Sequence, residues 1–188
     1  MSTLTVSRHF VEASLSGAER LGLDSRALLQ EAGISPDLLR IEMARVSSDQ
    51  FSKLMQVIWQ RTGDEFMGMG PRRARSGTFA TMCALVVGCQ TLEEVYQQAF
   101  RFSRLFEPMV SMELEIFGDR ARLVTRIEGS IHDPDYFLRE SILVIWHRLG
   151  SWLIGQPVEL EQARFQYPRP PHGDEYRHIF HCPLAFEA

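Results

Sequence analysis

The hydrophobic period changes once along this chain, and that change constrains the class of fold. In the segment from residue 51 to 59, apolar residues follow helical spacing, at Phe51, Leu54, Met55, Ile58 and Trp59. Between residues 110 and 127 they recur at every second position, on both sides of a Gly118-Asp119 turn. The first pattern predicts amphipathic helices and the second predicts a β-hairpin. We therefore expect an α+β fold, mainly helical, with the helices packed on a small antiparallel sheet.

Local signals predict where the early helices begin and end. A first helix is expected over residues 6–21, and Asp24 should cap a short second one. Ser47 and Gln50 have the spacing of a capping box, and Gly63 should end the helix that follows.

Two later segments have helical signals of a different kind. Residues 78–87 are apolar nearly all round, which predicts a buried helix. Thr91 and Glu94 form a second capping box, and Glu and Arg on the outer face of the hairpin predict exposed cross-strand pairs.

The last third of the chain predicts one long helix and several short elements. The helix opens at Asp133-Pro134 and carries a side shared by five residues, Tyr136, Glu140, Leu143, His147 and Ser151. This side either lines a small-molecule pocket or faces solvent. A strand within residues 161–167, a helix over 174–180 and a strand over 184–186 complete the prediction.

Charge and cysteine content exclude several classes of protein. The chain has 188 residues, with 20 Lys and Arg against 24 Asp and Glu, and this net charge of −4 argues against a nucleic-acid binder. Three cysteines do not make a disulfide framework. We find no secretory signal and no apolar run near the roughly 20 residues that cross a bilayer, so we expect a cytoplasmic protein with no membrane partner.

Motifs for catalysis or metal binding are absent from the sequence. Neither G-x-S-x-G nor HExxH occurs, so we expect no enzyme, no catalytic residue and no cofactor. His172, His178, His181 and Cys182 could ligate a metal, but a polar surface helix with Cys182 in the core explains them better, so no metal is expected. Arg72, Arg73 and Arg75 could hold an anion, or could simply lie in a solvated loop, which is the preferred interpretation.

The order of short phrases along the chain goes further than spacing. They are LLQEAGIS at residues 28–35, GDEFMG at 63–68, SGTF at 76–79, TLEEV at 91–95, DEYRHIF at 174–180 and CPLAF at 182–186. From about residue 21 to 188, this succession resembles the N-terminal, arabinose-binding-like regulatory domain of bacterial AraC-type transcription regulators.

That resemblance implies a sensor. Residues 1–188 would form a single N-terminal domain for effector sensing and dimerisation, and the DNA-binding helix-turn-helix domain would be absent from this chain. A small-molecule effector, such as a carboxylic or fatty acid, and a second copy of the chain are the expected partners, with DNA bound only through the missing C-terminal domain. The alternative is a dimerisation or protein-interaction module of the same regulator that binds no ligand.

Periodicity alone suggests which residues would line the effector pocket. The apolar helices offer adaptable Met and aromatic side chains, while Arg139 or His147 could pair with a carboxylate. Plain core packing is the alternative for the apolar ones. The predicted ligand-binding residues are Phe79, Met82, Cys83, Phe102, Phe106, Arg139, Trp146 and His147.

Overall fold

A computed structural model of the chain describes residues 5–106 and 109–187, without the side chain of Phe106. The chain divides into two compact units, Met1–Leu138 and Arg139–Ala188. The described residues form seven α-helices, one short 3-10 helix and six strands that pair two by two. The predicted α+β class, mainly helical, is confirmed. That residues 1–188 act as a single domain stays a prediction.

The N-terminal unit opens with helices on either side of a small ladder. Its first elements are β1 (Thr5–Ser7), α1 (Arg8–Arg20), α2 (Ser25–Glu31), a 3-10 helix (Pro36–Arg40), β2 (Arg45–Ser47) and α3 (Ser48–Thr62). The prediction of a helix from residue 6 was wrong at its start, because Val6 pairs with Val46 in the antiparallel β1–β2 ladder.

The predicted caps of these helices are confirmed. The Asp24 carboxylate accepts a hydrogen bond from the backbone N–H of Arg26, and Ser47 and Gln50 form a reciprocal capping box. Gly63 ends α3 in the left-handed region, with a φ of 61° that favours glycine.

A buried aspartate organises the loop that follows α3. Asp64 is 1% exposed, and its carboxylate accepts backbone hydrogen bonds from Phe66, Gly68 and Ala74 at 2.8–2.9 Å. These bonds hold the turn of the loop against α1, where the side chain of Arg20 donates to the Gly68 and Gly70 carbonyls. A carboxylate that satisfies three backbone donors explains why a charged residue is buried here.

The second half of this unit contains two helices and a hairpin. These are α4 (Thr78–Val86), α5 (Leu92–Phe106), β3 (Val110–Phe117) and β4 (Arg120–Ile127). The prediction that the helix over residues 78–87 is buried was wrong. Only Met82 and Val86 of α4 are buried, whereas Leu85 is 48% exposed and Val87, just past its end, is 65% exposed. An apolar composition predicts that a helix can be buried. The number of its sides that other elements cover depends on the fold.

The predicted hairpin is confirmed, and its register places Glu115 opposite Arg122. Its outer face carries ion pairs between Arg122 and Glu115 at 3.1 Å and between Arg126 and Glu113 at 2.8 Å. The predicted exposed cross-strand pairs are therefore confirmed. Burial is confined to the base of the hairpin, where Val110 and Met112 lie in the core.

The C-terminal unit packs its elements around aromatic rings. The long helix α6 (Phe137–Ile154) begins with the last two residues of the N-terminal unit, and β5 (Ala163–Phe165), α7 (Glu175–Phe180) and β6 (Leu184–Phe186) follow it. Strands β5 and β6 pair in parallel, with Arg164 opposite Ala185. Phe165, Tyr176 and Phe180 form the buried centre of this unit. None of the described helices is both long enough and apolar enough to cross a membrane.

Candidate functional site

Five of the eight predicted ligand-binding residues lie on α4 and α5 of the N-terminal unit. Met82 is 2% exposed, Cys83 and Phe102 are partly buried, and Phe79 is 38% exposed. Phe106 ends α5, and its side chain lies outside the described part of the structure. Burial raises the pKa of the Cys83 thiol, and the nearby charge of Glu65 adds to the shift, so this cysteine is a poor nucleophile at neutral pH.

The other three predicted residues lie on α6 in the C-terminal unit. Trp146 is buried and Arg139 is half-buried. The His147 Nε2 is 2.7 Å from the carbonyl oxygen of Val158, and the Ser151 hydroxyl accepts from the N–H of Val158. These two contacts tie the segment after α6 back to the helix and occupy one nitrogen of the imidazole. That the eight residues enclose one ligand stays a prediction.

The polar side of α6 is buried at Glu140 and partly exposed at the other residues that share it. Glu140 is 2% exposed, and its Oε1 accepts hydrogen bonds from the hydroxyl of Tyr176 and, at 2.8 Å, from Nε2 of His172. The hydroxyl of Tyr176 is also 3.0 Å from that of Tyr167. The helical pattern puts Glu140 and His147 two turns apart on one side of α6, but the imidazole that contacts Glu140 is that of His172, in the loop before α7.

Glu140, His172, Tyr176 and Tyr167 thus form a buried polar cluster that joins different elements of this unit. Burial, and after it the charge and hydrogen bond of Glu140, raises the pKa of Tyr176 far above its usual value. The hydroxyl therefore stays protonated and remains a donor to the carboxylate. His172 lies in the loop before α7 and Tyr176 lies on α7, so the cluster fixes both of these segments to α6.

An open cleft lies on the outer side of α7 in the same unit. It has a volume of about 550 Å³. Its lining has a basic part, an apolar part and one thiol, and consists of Arg169, Arg177, His181, Cys182, Pro183, Leu184 and Phe186. We call this space the α7 cleft. None of its residues belongs to the predicted pocket.

The shape of the α7 cleft follows from two local features of the chain. Arg169 lies across Gly173, where an added Cβ would come within 2.9 Å of the Arg169 Cγ, and it pairs with Asp174 at 2.6 Å. His181 ends α7 in the left-handed region, with a φ of 52°, which turns the chain into β6. Of the residues that line this cleft, the sequence pattern had singled out His181 and Cys182, as possible metal ligands.

The structure bears on the candidate metal and anion sites of the sequence. Among the described residues, no group of three or more His, Cys, Asp or Glu side chains could hold a metal ion. Arg72 and Arg73 are exposed in the loop before α4. Their preferred interpretation as a solvated loop agrees with this exposure.

Comparison with known proteins adds a family and a relative. The family described as the arabinose-binding domain of AraC transcription regulator, N-term, matches residues 22–188. The ornithine utilization regulator of Pseudomonas aeruginosa is 22% identical over 179 residues, which are 95% of this chain and 53% of the relative. The chain thus spans about half the length of the curated relative that it matches.

Proposed function

Because this chain belongs to the family of N-terminal arabinose-binding domains of AraC transcription regulators, we propose that it is a regulatory domain that responds to a small-molecule effector. The family match over residues 22–188 carries this proposal. The family is one of transcription regulators rather than enzymes, and the role of the domain would be to bind and relay, not to transform.

The relay would act on DNA binding by a domain outside residues 1–188. An effector controls such a domain only if it binds one conformational state more tightly than the other. The acidic balance of this chain supports a division of labour in which another part of the regulator contacts DNA.

For the effector we propose a small carboxylic acid, including amino acids and fatty acids. The curated relative is named for ornithine utilization, and ornithine carries a carboxylate. Arginine side chains recognise such groups through paired hydrogen bonds, and this chain has basic side chains on the α7 cleft and on α6.

The test of the sensing function is a thermal-shift screen of the purified chain with fatty, amino and hydroxy acids, ornithine among them. We expect at least one compound to raise the Tm, because a ligand at 100 times its Kd adds about 2.7 kcal/mol to the free energy of unfolding. His147→Ala should reduce the shift if the predicted pocket binds the ligand, and His178→Ala, at an exposed histidine, should leave it unchanged. A screen in which no compound raises the Tm would contradict the sensing function.

A second candidate function, a dimerisation module that binds no ligand, is favoured by the surface of α4. Three large apolar residues in or next to this helix are exposed, Phe79 by 38%, Leu85 by 48% and Val87 by 65%. Exposed apolar side chains grouped on one helix are typical of protein contacts. A homodimer also suits a regulator that reads a two-fold symmetric operator, and it is compatible with effector binding.

A further inference from the structure

We propose that the α7 cleft binds a small organic anion, with its negative group held by Arg177 and Arg169 and its apolar portion against Leu184 and Phe186. This inference rests on the proposed sensing function and deepens it, since it names a site and a ligand class. The site differs from the pocket predicted on α4, α5 and α6.

The positive charge that an anion could bind in the cleft comes from Arg177. Among the described residues, none accepts a hydrogen bond or forms an ion pair with its guanidinium, although the side chain borders a concave space. A guanidinium offers five N–H donors in a planar fork that matches carboxylate and phosphate oxygens. An anion in the cleft would therefore find donors that no described side chain uses.

Arg169 provides a second guanidinium that is held in place. Its NH2 group donates to Asp174 at 2.6 Å, and its aliphatic part passes over Gly173, where there is no room for a Cβ. This arrangement limits the freedom that the side chain would lose on binding a ligand. The carboxylate of Asp174 offsets one positive charge, so the pair leaves Arg177 as the dominant attraction for an anion.

Apart from His181 and the Cys182 thiol, the rest of the lining is apolar, and it contains no carboxylate. Leu184 and Phe186 belong to β6, and the Phe186 ring stacks on Phe165 with centroids 5.2 Å apart. Burial raises the pKa of the Cys182 thiol, so this group is neutral near pH 7. An apolar wall next to a guanidinium suits a ligand with an anionic head and a hydrocarbon body, because an inorganic ion would leave the wall unused.

The volume of the cleft sets the size of the ligand. About 550 Å³ lies within the range of roughly 300–1,000 Å³ that is typical of small-molecule sites. A short fatty acid or an aromatic acid fits this space.

The experiment is an NMR titration of the isotope-labelled chain with hexanoate, with hexanol as its neutral counterpart, and with inorganic phosphate. Hexanoate should bind saturably and at least about tenfold more tightly than hexanol, which is the ratio expected for one charge-assisted contact. Inorganic phosphate should bind more weakly than hexanoate, because it lacks the apolar portion. Equal binding of hexanoate and hexanol, or tighter binding of phosphate, would overturn the proposal.

Two variants localise the binding. Arg177→Gln should weaken hexanoate binding about tenfold, whereas Arg164→Gln, at an exposed arginine of β5 outside the cleft, should leave it unchanged. The spectrum of each variant reports whether it is folded. If acids bind and only His147→Ala weakens their binding, the sensing function stands and the α7 cleft is ruled out as the site. If no acid from either panel binds, both proposals fail.

Discussion

At the scale of single residues, the buried polar cluster is the feature on which the C-terminal unit most depends. The carboxyl group of Glu140 lies in the interior with 2% exposure, where Tyr176 and His172 contact its Oε1. A buried charge that loses a donor incurs the cost of desolvation without compensation.

We expect Tyr176→Phe to lower the free energy of unfolding at neutral pH by about 1–3 kcal/mol, because it removes one donor to a buried carboxylate. Tyr167→Phe should cost less, since Tyr167 is half-buried and its hydroxyl contacts the hydroxyl of Tyr176. Urea unfolding followed by circular dichroism measures both differences.

The same variant should change the dependence of stability on pH. The pKa of Tyr176 is higher in the folded than in the unfolded state, so its contribution is complete below pH about 10 and is lost as the pH rises above that value. The wild type should therefore lose more stability than Tyr176→Phe between neutral pH and pH about 11. Parallel losses in the two proteins would contradict a buried, protonated Tyr176.

Residue signals that act over three or four positions were readable from the sequence. The caps at Asp24 and Ser47 and the left-handed Gly63 depend only on neighbours along the chain. The bond between Glu140 and His172 joins residues 32 positions apart, and no local pattern distinguishes His172 from the other histidines. The available signal was that Glu140 is the single carboxylate of a helix whose residues are mostly apolar.

At the scale of elements, the crossing of α1 with the loop after α3 shows how closely two backbones approach. A Cβ added at Gly17 would lie 2.2 Å from the carbonyl oxygen of Met67 and 2.8 Å from the side chain of Met69. Glycine is therefore required at this position by space and not by backbone dihedral angle.

We expect Gly17→Ala to destabilise the chain by about 1–3 kcal/mol or more, because the loop held by Asp64 cannot move away from α1 without losing hydrogen bonds. Gly88→Ala is the matched control, since nothing lies within 4 Å of its added Cβ. Thermal unfolding of the two variants tests this, and an equal Tm for both would show that the crossing is looser than described.

The elements that the sequence missed or misjudged share one cause. Strands β1 and β2 are three residues each, and they exist because segments about 40 residues apart meet. Whether α4 is buried on one side or on all sides depends on the elements that lie next to it in the fold. The composition of α4 does not indicate which elements those are. The hairpin and the strand at residues 184–186 were predicted because alternation and flanking turns are local.

At the scale of the whole molecule, the sequence indicated the class of protein better than it indicated the site. The succession of phrases from residue 28 to 186 agrees with the family that matches residues 22–188. The pocket was proposed from periodicity alone, which identifies apolar faces but not the concave spaces between elements. The α7 cleft is formed by a loop, a helix end and a strand, and none of these has a period that could reveal it.

The exposed apolar residues of α4 lead to a prediction about assembly. If this surface joins two copies, light scattering should give twice the 21.6 kDa of one chain, and Val87→Glu should return it to one. Gln166→Glu, which adds the same charge at another exposed position, should leave the mass unchanged. A wild type that stays at 21.6 kDa over a wide range of concentration would contradict dimerisation of these residues by themselves.

The β3–β4 hairpin has a consequence for how this protein behaves at high concentration. Within the described residues neither strand has a second neighbour, so each keeps a row of backbone groups able to recruit a strand from another molecule. The glutamates of β3 and the arginines of β4 are expected to work against such stacking, because charged side chains on an edge strand disfavour the addition of a foreign strand. Exposed ion pairs of this kind add little to the stability of one molecule, and we expect their larger effect to be on association between molecules.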